Sequence, residues 1–144
     1  MVKTKSEDLT NFGDVLKFTF RFWSFIGIIL LISIYNVVYQ RLTNWSINPL
    51  MDINSSVDKA NRILYNTCEQ LLLAIISQLE LITHLSASQV ITVIPTLNMV
   101  WFVARILFII GYPDYRIFGF VCGAVPHIVG LVYSMYSLLI NELS

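Results

Sequence analysis

Four long apolar runs alternate with short polar interruptions along the chain. They cover about Phe22 to Tyr39, Ile63 to Leu85, Val90 to Ile110 and Ile117 to Ile140. Each approaches the roughly 20 residues that a helix needs to cross a bilayer. The pattern predicts four transmembrane helices, over about 18–40, 62–85, 88–111 and 116–141, in one domain spanning 1–144. The linkers Leu85–Gln89 and Tyr112–Arg116 are short, which makes consecutive helices antiparallel neighbours. Only the first connection, about Gln40 to Asn61, is long. The predicted fold is an all-α, integral membrane four-helix bundle.

A cleavable signal peptide is the rival reading of the first run. The run is long for a signal core, and the bulky Tyr39-Gln40-Arg41 follows it where a cleavage site needs small residues. It is therefore read as a retained helix. Ahead of it, "NFGDVLKFTFRFW" interleaves Lys17 and Arg21 with aromatic rings, a pattern suited to the membrane interface.

Composition agrees with this reading. Of the 144 residues 56% are hydrophobic and 12% charged, about half the charged share of soluble domains. The formal net charge is zero, so no basic surface invites nucleic acid. Cys68 and Cys122 both fall in apolar runs and are read as buried free thiols rather than a disulfide. His84 and His127 stand apart from one another and from the cysteines, so no metal-ligand cluster is expected. The first loop, "RLTNWSINPLMDINSSVDKANR", holds two sequons, at Asn44 and Asn54. Arg41, Lys59, Arg62 and Arg116 fall on the loop side, and Lys3, Lys5, Lys17 and Arg21 on the N-terminal side. With the two sides balanced, the positive-inside rule assigns no orientation.

The informative feature is polar side chains inside oily helices. In the second helix Arg62, Asn66 and Glu69 are spaced i, i+4, i+7 and share a face. Ser77, Glu80 and His84 continue the stripe. In the third helix Asn98, Arg105 and Tyr112 recur by sevens. Helices two and three run antiparallel, so Glu69 and Arg105 both fall about 10 Å below the same interface, at 1.5 Å per residue. Matched depth predicts that Arg105 pairs with Glu69, within one chain or across subunits. Such a pair is either a structural clamp or part of a binding site. Arg62, Asn66, Tyr112 and Arg116 would add donors at one pocket mouth, suited to a small anion or a peptide carboxylate. In the fourth helix, "GFVCGAVPHIVG" places Gly119 and Gly123 in a G-x-x-x-G step that admits a close neighbouring helix. Pro126 is expected to kink that helix, and His127 is read as a packing residue rather than a catalyst.

"NRILYNTCEQ" followed by "ARILFIIGYPDYRIFGF" resembles the MAPEG proteins, the membrane-associated proteins in eicosanoid and glutathione metabolism. The resemblance covers about Asn61 to Ile140. It rests on an Arg-x-x-x-Asn-x-x-Glu in helix two and on an arginine followed by Gly-Tyr at the end of helix three. It implies a four-helix bundle assembled as a homotrimer in an endomembrane such as the endoplasmic reticulum. In its enzymatic members glutathione binds between subunits near the cytosolic face. Arg62, Asn66 and Glu69 match helix-two positions that hold glutathione, and Arg105 and Tyr112 match helix-three positions that contact it. Arg41 stands where the enzymes often have a basic residue. Arg116 is the candidate for the arginine that activates the glutathione thiol. Two departures accompany the match: Gln70 and Phe108 replace tyrosines usual in the leukotriene-type enzymes. "NTCEQ" and "RIFGF" are closer to bacterial members and to a mattrin-like branch not established as enzymatic.

Three functions compete at this point. The first is a glutathione transferase or peroxidase acting on lipophilic electrophiles, with glutathione as co-substrate and no metal. The second is a non-catalytic membrane protein with a structural, trafficking or partner-binding role. The third is a channel or transporter subunit, for which four helices leave little room within one subunit. On the resemblance, the first and third loops face the cytosol and both sequons stay unmodified. A lipid-facing charge costs about 2–3 kcal/mol, and this too favours burial of the helix-two stripe between subunits.

Overall fold

The computed structural model describes residues 11–45 and 55–143. They form four helices: α1 Phe12–Thr43, α2 Ser55–His84, α3 Ala87–Gly111 and α4 Arg116–Leu143. The helices run beyond the apolar stretches at several ends. Polar residues there continue the backbone hydrogen bonding outside the oily segment, so apolar runs mark the buried length rather than the helix ends. Of the two sequons, the one at Asn54 lies outside the described residues. Asn44 closes α1, with its side-chain amide donating to the Gln40 carbonyl (2.8 Å).

Only Leu85 and Ser86 separate α2 from α3. The turn is locked by Gln89, whose Oε1 accepts from the Ser86 backbone N–H (2.9 Å), so one otherwise free donor at the start of α3 is satisfied. A link this short lays α2 and α3 antiparallel. The α3–α4 turn is closed by the Tyr115 N–H donating to the Gly111 carbonyl (2.7 Å). As a result the C-terminal ends of α1 and α3 and the N-terminal ends of α2 and α4 gather at one end of the bundle. α1 and α4 each pack on both α2 and α3.

Three helices, α1, α3 and α4, are long and apolar enough to cross a membrane. The chain is an integral membrane four-helix bundle, as expected, and α2, as long as its neighbours, is the least apolar of the four. α2 carries Asp58, Lys59, Arg62, Glu69 and Glu80, and it turns Thr67, Gln70, Ser77 and Gln78 into the core. It crosses the bundle as a partly polar element, with Leu72 and Ile76 exposed on its outer side.

The core is layered. Val15, Phe18, Ile82, Val90 and Ile94 form one apolar cluster, and Ile26, Ile29, Ala74 and Trp101 form another. A polar knot joins three helices: Trp23 Nε1 and Asn98 Nδ2 both donate to Gln78 Oε1, at 2.8 and 2.9 Å. Indole N–H is donor-only, which fixes the Gln78 oxygen toward it. The G-x-x-x-G step of α4 is used inside the chain. A Cβ on Gly119 would sit 2.7 Å from the Ala104 carbonyl oxygen and from Phe108 Cα, so α3 and α4 meet there backbone to backbone. α4 is one continuous helix through Pro126. His127 is buried against α2, its Nδ1 2.7 Å from Ser77 Oγ. Cys68 and Cys122 are free, half-buried thiols.

Candidate functional site

Where the helix ends gather, α2, α3 and α4 line an open pocket of about 430 Å³, within the usual range for small-molecule sites. α2 lines it with Arg62, Tyr65, Asn66 and Glu69, the end of α3 with Phe108 and Tyr112, and the start of α4 with Arg116, Ile117 and Phe120. Five of the seven residues singled out in the sequence therefore converge: Arg62, Asn66, Glu69, Tyr112 and Arg116. The i, i+4, i+7 spacing on α2 accounts for three of them. The short turn after Tyr112 brings in the other two.

The mouth is electropositive. The Arg62 Nε donates to Asp58 Oδ2 at 2.8 Å. Arg62 lies in the exposed first two turns of α2, ahead of its apolar stretch. The hydrogen bond to Asp58, with that carboxylate's charge, raises the Arg62 pKa above its already high ordinary value. Nε is used in that bond, which leaves the Nη groups for a ligand. The Tyr112 ring has two cations near it: the Arg116 guanidinium carbon is 5.7 Å from its centroid and Lys59 Nζ 5.8 Å, both in cation–π range. Glu69 is the one carboxylate among the lining residues. The pocket thus offers two guanidinium groups, an amide and two phenols against one acid. That set suits a ligand with carboxylates and an ammonium group.

Arg105 sits behind the pocket wall rather than in it, with 0% of its surface exposed. Its Nη1 donates to Asn66 Oδ1 at 2.8 Å, and its Nη2 reaches toward the Gly119 carbonyl at 3.4 Å. The guanidinium carbon lies 4.7 Å from the Phe108 ring centre. Within the chain, then, Arg105 bonds to Asn66, and the Arg105–Glu69 pair expected within one chain or across subunits is not formed within it. Both described ion pairs link neighbours on a single helix, Lys17–Asp14 and Arg62–Asp58. Depth along the helix does not choose the partner; direction round it does. The buried face of α2 runs through Ile63, Thr67, Gln70, Ala74 and Ser77. The Arg62–Glu69 line lies roughly 110° round the helix from it. Asn66 is nearer that face and meets Arg105, whereas Glu69 is exposed on the outer flank.

Arg41 is at the end of α1 and is not among the pocket's lining residues. Tyr65, Ile117 and Phe120 line the pocket without having been singled out. Tyr65 is i+3 from Arg62 on α2, and Ile117 and Phe120, spaced i, i+3, follow directly after Arg116, so spacing alone could have found them. Gln70, in the position of a family tyrosine, points into the core, where it is 4% exposed. Phe108, replacing the other tyrosine, does line the pocket but brings no hydroxyl.

The architecture is a membrane four-helix bundle with a polar pocket at one end of α2, α3 and α4. The MAPEG family model matches residues 22–136, most of the chain and all of the pocket. The chain belongs to the MAPEG family. No curated protein and no solved structure matches it.

Proposed function

We propose that this protein binds glutathione in the Arg62–Arg116 pocket and uses it as co-substrate in a transferase or peroxidase reaction on lipophilic electrophiles. The observation carrying this reading is the convergence of Arg62, Asn66, Glu69, Tyr112 and Arg116 around one cavity of about 430 Å³. Arg62 and the Asn66 amide would take carboxylate or carbonyl oxygens of the tripeptide, and Glu69 would take its ammonium group. Arg116 is the catalytic candidate. A guanidinium beside the thiol favours the thiolate and lowers its pKa, and the thiolate is the nucleophile. It attacks the electrophilic carbon while the leaving group departs with the bonding pair, or attacks a peroxide oxygen and releases an alkoxide that takes up a proton. Ile117 and Phe120 give the apolar substrate a way in from the lipid side.

Assembly as a homotrimer belongs to the same proposal. Arg62, Tyr65 and Glu69 are exposed on one flank of α2. Glu69 falls within the apolar stretch, where a lipid-facing charge costs about 2–3 kcal/mol on insertion scales, and a subunit interface along that flank removes the cost. Arg41, outside the pocket of its own chain, could then serve a neighbour's. An endoplasmic reticulum location with the pocket toward the cytosol completes the reading.

The test is turnover of purified protein with glutathione and a panel of lipophilic electrophiles and hydroperoxides. Arg116→Ala should cost a hundredfold or more if it stabilises the thiolate, on the scale of other electrostatic catalytic groups. Absence of turnover across the panel leaves the second reading, a non-catalytic membrane protein. Phe108 favours that reading, since the pocket there presents a ring without the hydroxyl of the family's enzymes.

A further inference from the structure

Arg105 is a complete guanidinium buried in the bundle, yet it touches no carboxylate among the described residues and does not line the pocket. Its one short side-chain bond is to Asn66, which does line the pocket (2.8 Å). The chemistry of that bond fixes something a pocket outline does not show. A guanidinium has donors only. Whatever Asn66 atom faces it must therefore be the carbonyl oxygen, regardless of how the amide is drawn. The –NH2 group is then left on the other side of the amide, and Asn66 lines the cavity.

We infer that Arg105 is a positioning residue that holds the Asn66 carbonyl inward, so that Asn66 presents only N–H donors to the pocket and selects a ligand oxygen acceptor there. Arg105 is itself held by α4. Its Nη2 faces the Gly119 carbonyl (3.4 Å), and a Cβ on Gly123 would lie 3.3 Å from that nitrogen. The two glycines of the G-x-x-x-G step thus make room for the arginine as well as for the α3 backbone. The chain Gly119 carbonyl, Arg105, Asn66 amide ties the α4 wall of the pocket to the α2 wall through α3. A free asparagine could turn its amide to suit either an acceptor or a donor, and this one cannot. Glu69, one turn further along α2, is an acceptor. Adjacent turns of one helix therefore carry opposite preferences. A ligand must bring an oxygen to Asn66 and a donor or cation to Glu69.

The inference rests on the proposed glutathione reading for its ligand but not for its orientation, and the experiment separates the two. Three variants are compared with wild type: Asn66→Asp, Asn66→Leu and Arg105→Lys. Each is measured for thermal stability without ligand and for glutathione binding by calorimetry. Asn66→Asp keeps an oxygen for Arg105 and removes the donor from the pocket. It should melt close to wild type or above it, while glutathione affinity falls about tenfold or more, the scale of a hydrogen bond to a charged group. Asn66→Leu should lose both stability and binding. Arg105→Lys can still donate to the Asn66 oxygen and should keep more binding than Asn66→Asp. If Asn66→Asp melts as low as Asn66→Leu, the oxygen does not face Arg105 and the inference is overturned. If Asn66→Asp binds glutathione as tightly as wild type, the donor is not what the ligand reads, and the inference is again overturned. Should wild type bind no glutathione, the function proposed above falls together with the selection of a ligand acceptor, while the melting comparison still decides the orientation.

Discussion

Gly119→Ala adds one methyl group where two helices touch through their backbones. The new Cβ would lie 2.7 Å from the Ala104 carbonyl oxygen and from Phe108 Cα. Neither atom is the end of a flexible side chain, so the only relief is to move α4 off α3. An alanine in a helix interior otherwise gains about 1 kcal/mol over glycine, and overpacking a close contact costs about 1–3 kcal/mol. With backbone on both sides of the clash the upper end applies, for a net loss of about 2 kcal/mol. The other glycines supply the controls. A Cβ on Gly130 meets the Leu81 Cδ1 end at 2.8 Å, which can swing aside, and one on Gly27 meets nothing within 4 Å. Gly130→Ala should therefore be near neutral and Gly27→Ala stabilising by about 0.5–1 kcal/mol. Unfolding in mixed detergent micelles, followed by fluorescence of Trp23 and the fully buried Trp101, gives the ranking. Gly119→Ala should also weaken ligand binding, because α4 carries Arg116, Ile117 and Phe120 into the pocket. Wild-type stability in Gly119→Ala would show that α3 and α4 do not meet there, and the account of how the pocket is held would fall with it.

Other predictions follow from named contacts. A thermal double-mutant cycle between Asn66→Leu and Arg105→Leu should show coupling of about 1.5–3 kcal/mol, the worth of a hydrogen bond to a charged group. If the subunits do not bring Glu69 to a neighbour's Arg105, the cycle between Glu69→Gln and Arg105→Leu should be additive, and strong coupling there would locate that pair across the interface. Ser77→Ala strands the buried His127 Nδ1 and should cost about 1–3 kcal/mol, with the loss largely absent when His127 is also replaced by leucine. Native mass spectrometry in mild detergent should give a trimer, and a monomer alone would count against the interface on the α2 flank. Asn44 should show no glycosidase-sensitive mass shift in a eukaryotic membrane, since a shift would put the pocket mouth in the lumen.

Much of the fold was legible because a bilayer imposes one simple length rule. Apolar runs separated by two tight linkers lead to four antiparallel helices. Helix α2 is the least obvious of the four: its apolar run is real, but residues such as Gln70 and Gln78 lower its hydropathy without breaking its helix. They face the core, where Gln78 accepts from Trp23 and Asn98. Long-range partners of that kind leave no trace in periodicity. The pocket was legible as far as spacing carries. Arg62, Asn66 and Glu69 do share a side of α2, and Tyr112 and Arg116 do come back to it. Arg105 shows where spacing stops. Depth along a helix can be counted from the sequence, but the facing angle of two helices is set by how closely they pack, and Gly119 and Gly123 draw α4 in beside Arg105. The angle selects Asn66, three residues before the residue expected from depth.

The central claim is that the cluster of Arg62, Asn66, Glu69, Tyr112 and Arg116 is a glutathione site. It is tested most directly by calorimetric titration of glutathione into the purified protein and into Arg62→Ala. The account predicts saturable binding by the wild type, weakened at least tenfold by Arg62→Ala, as expected for loss of a charge-assisted contact. Binding that is absent in the wild type, or equally strong in Arg62→Ala, would contradict it.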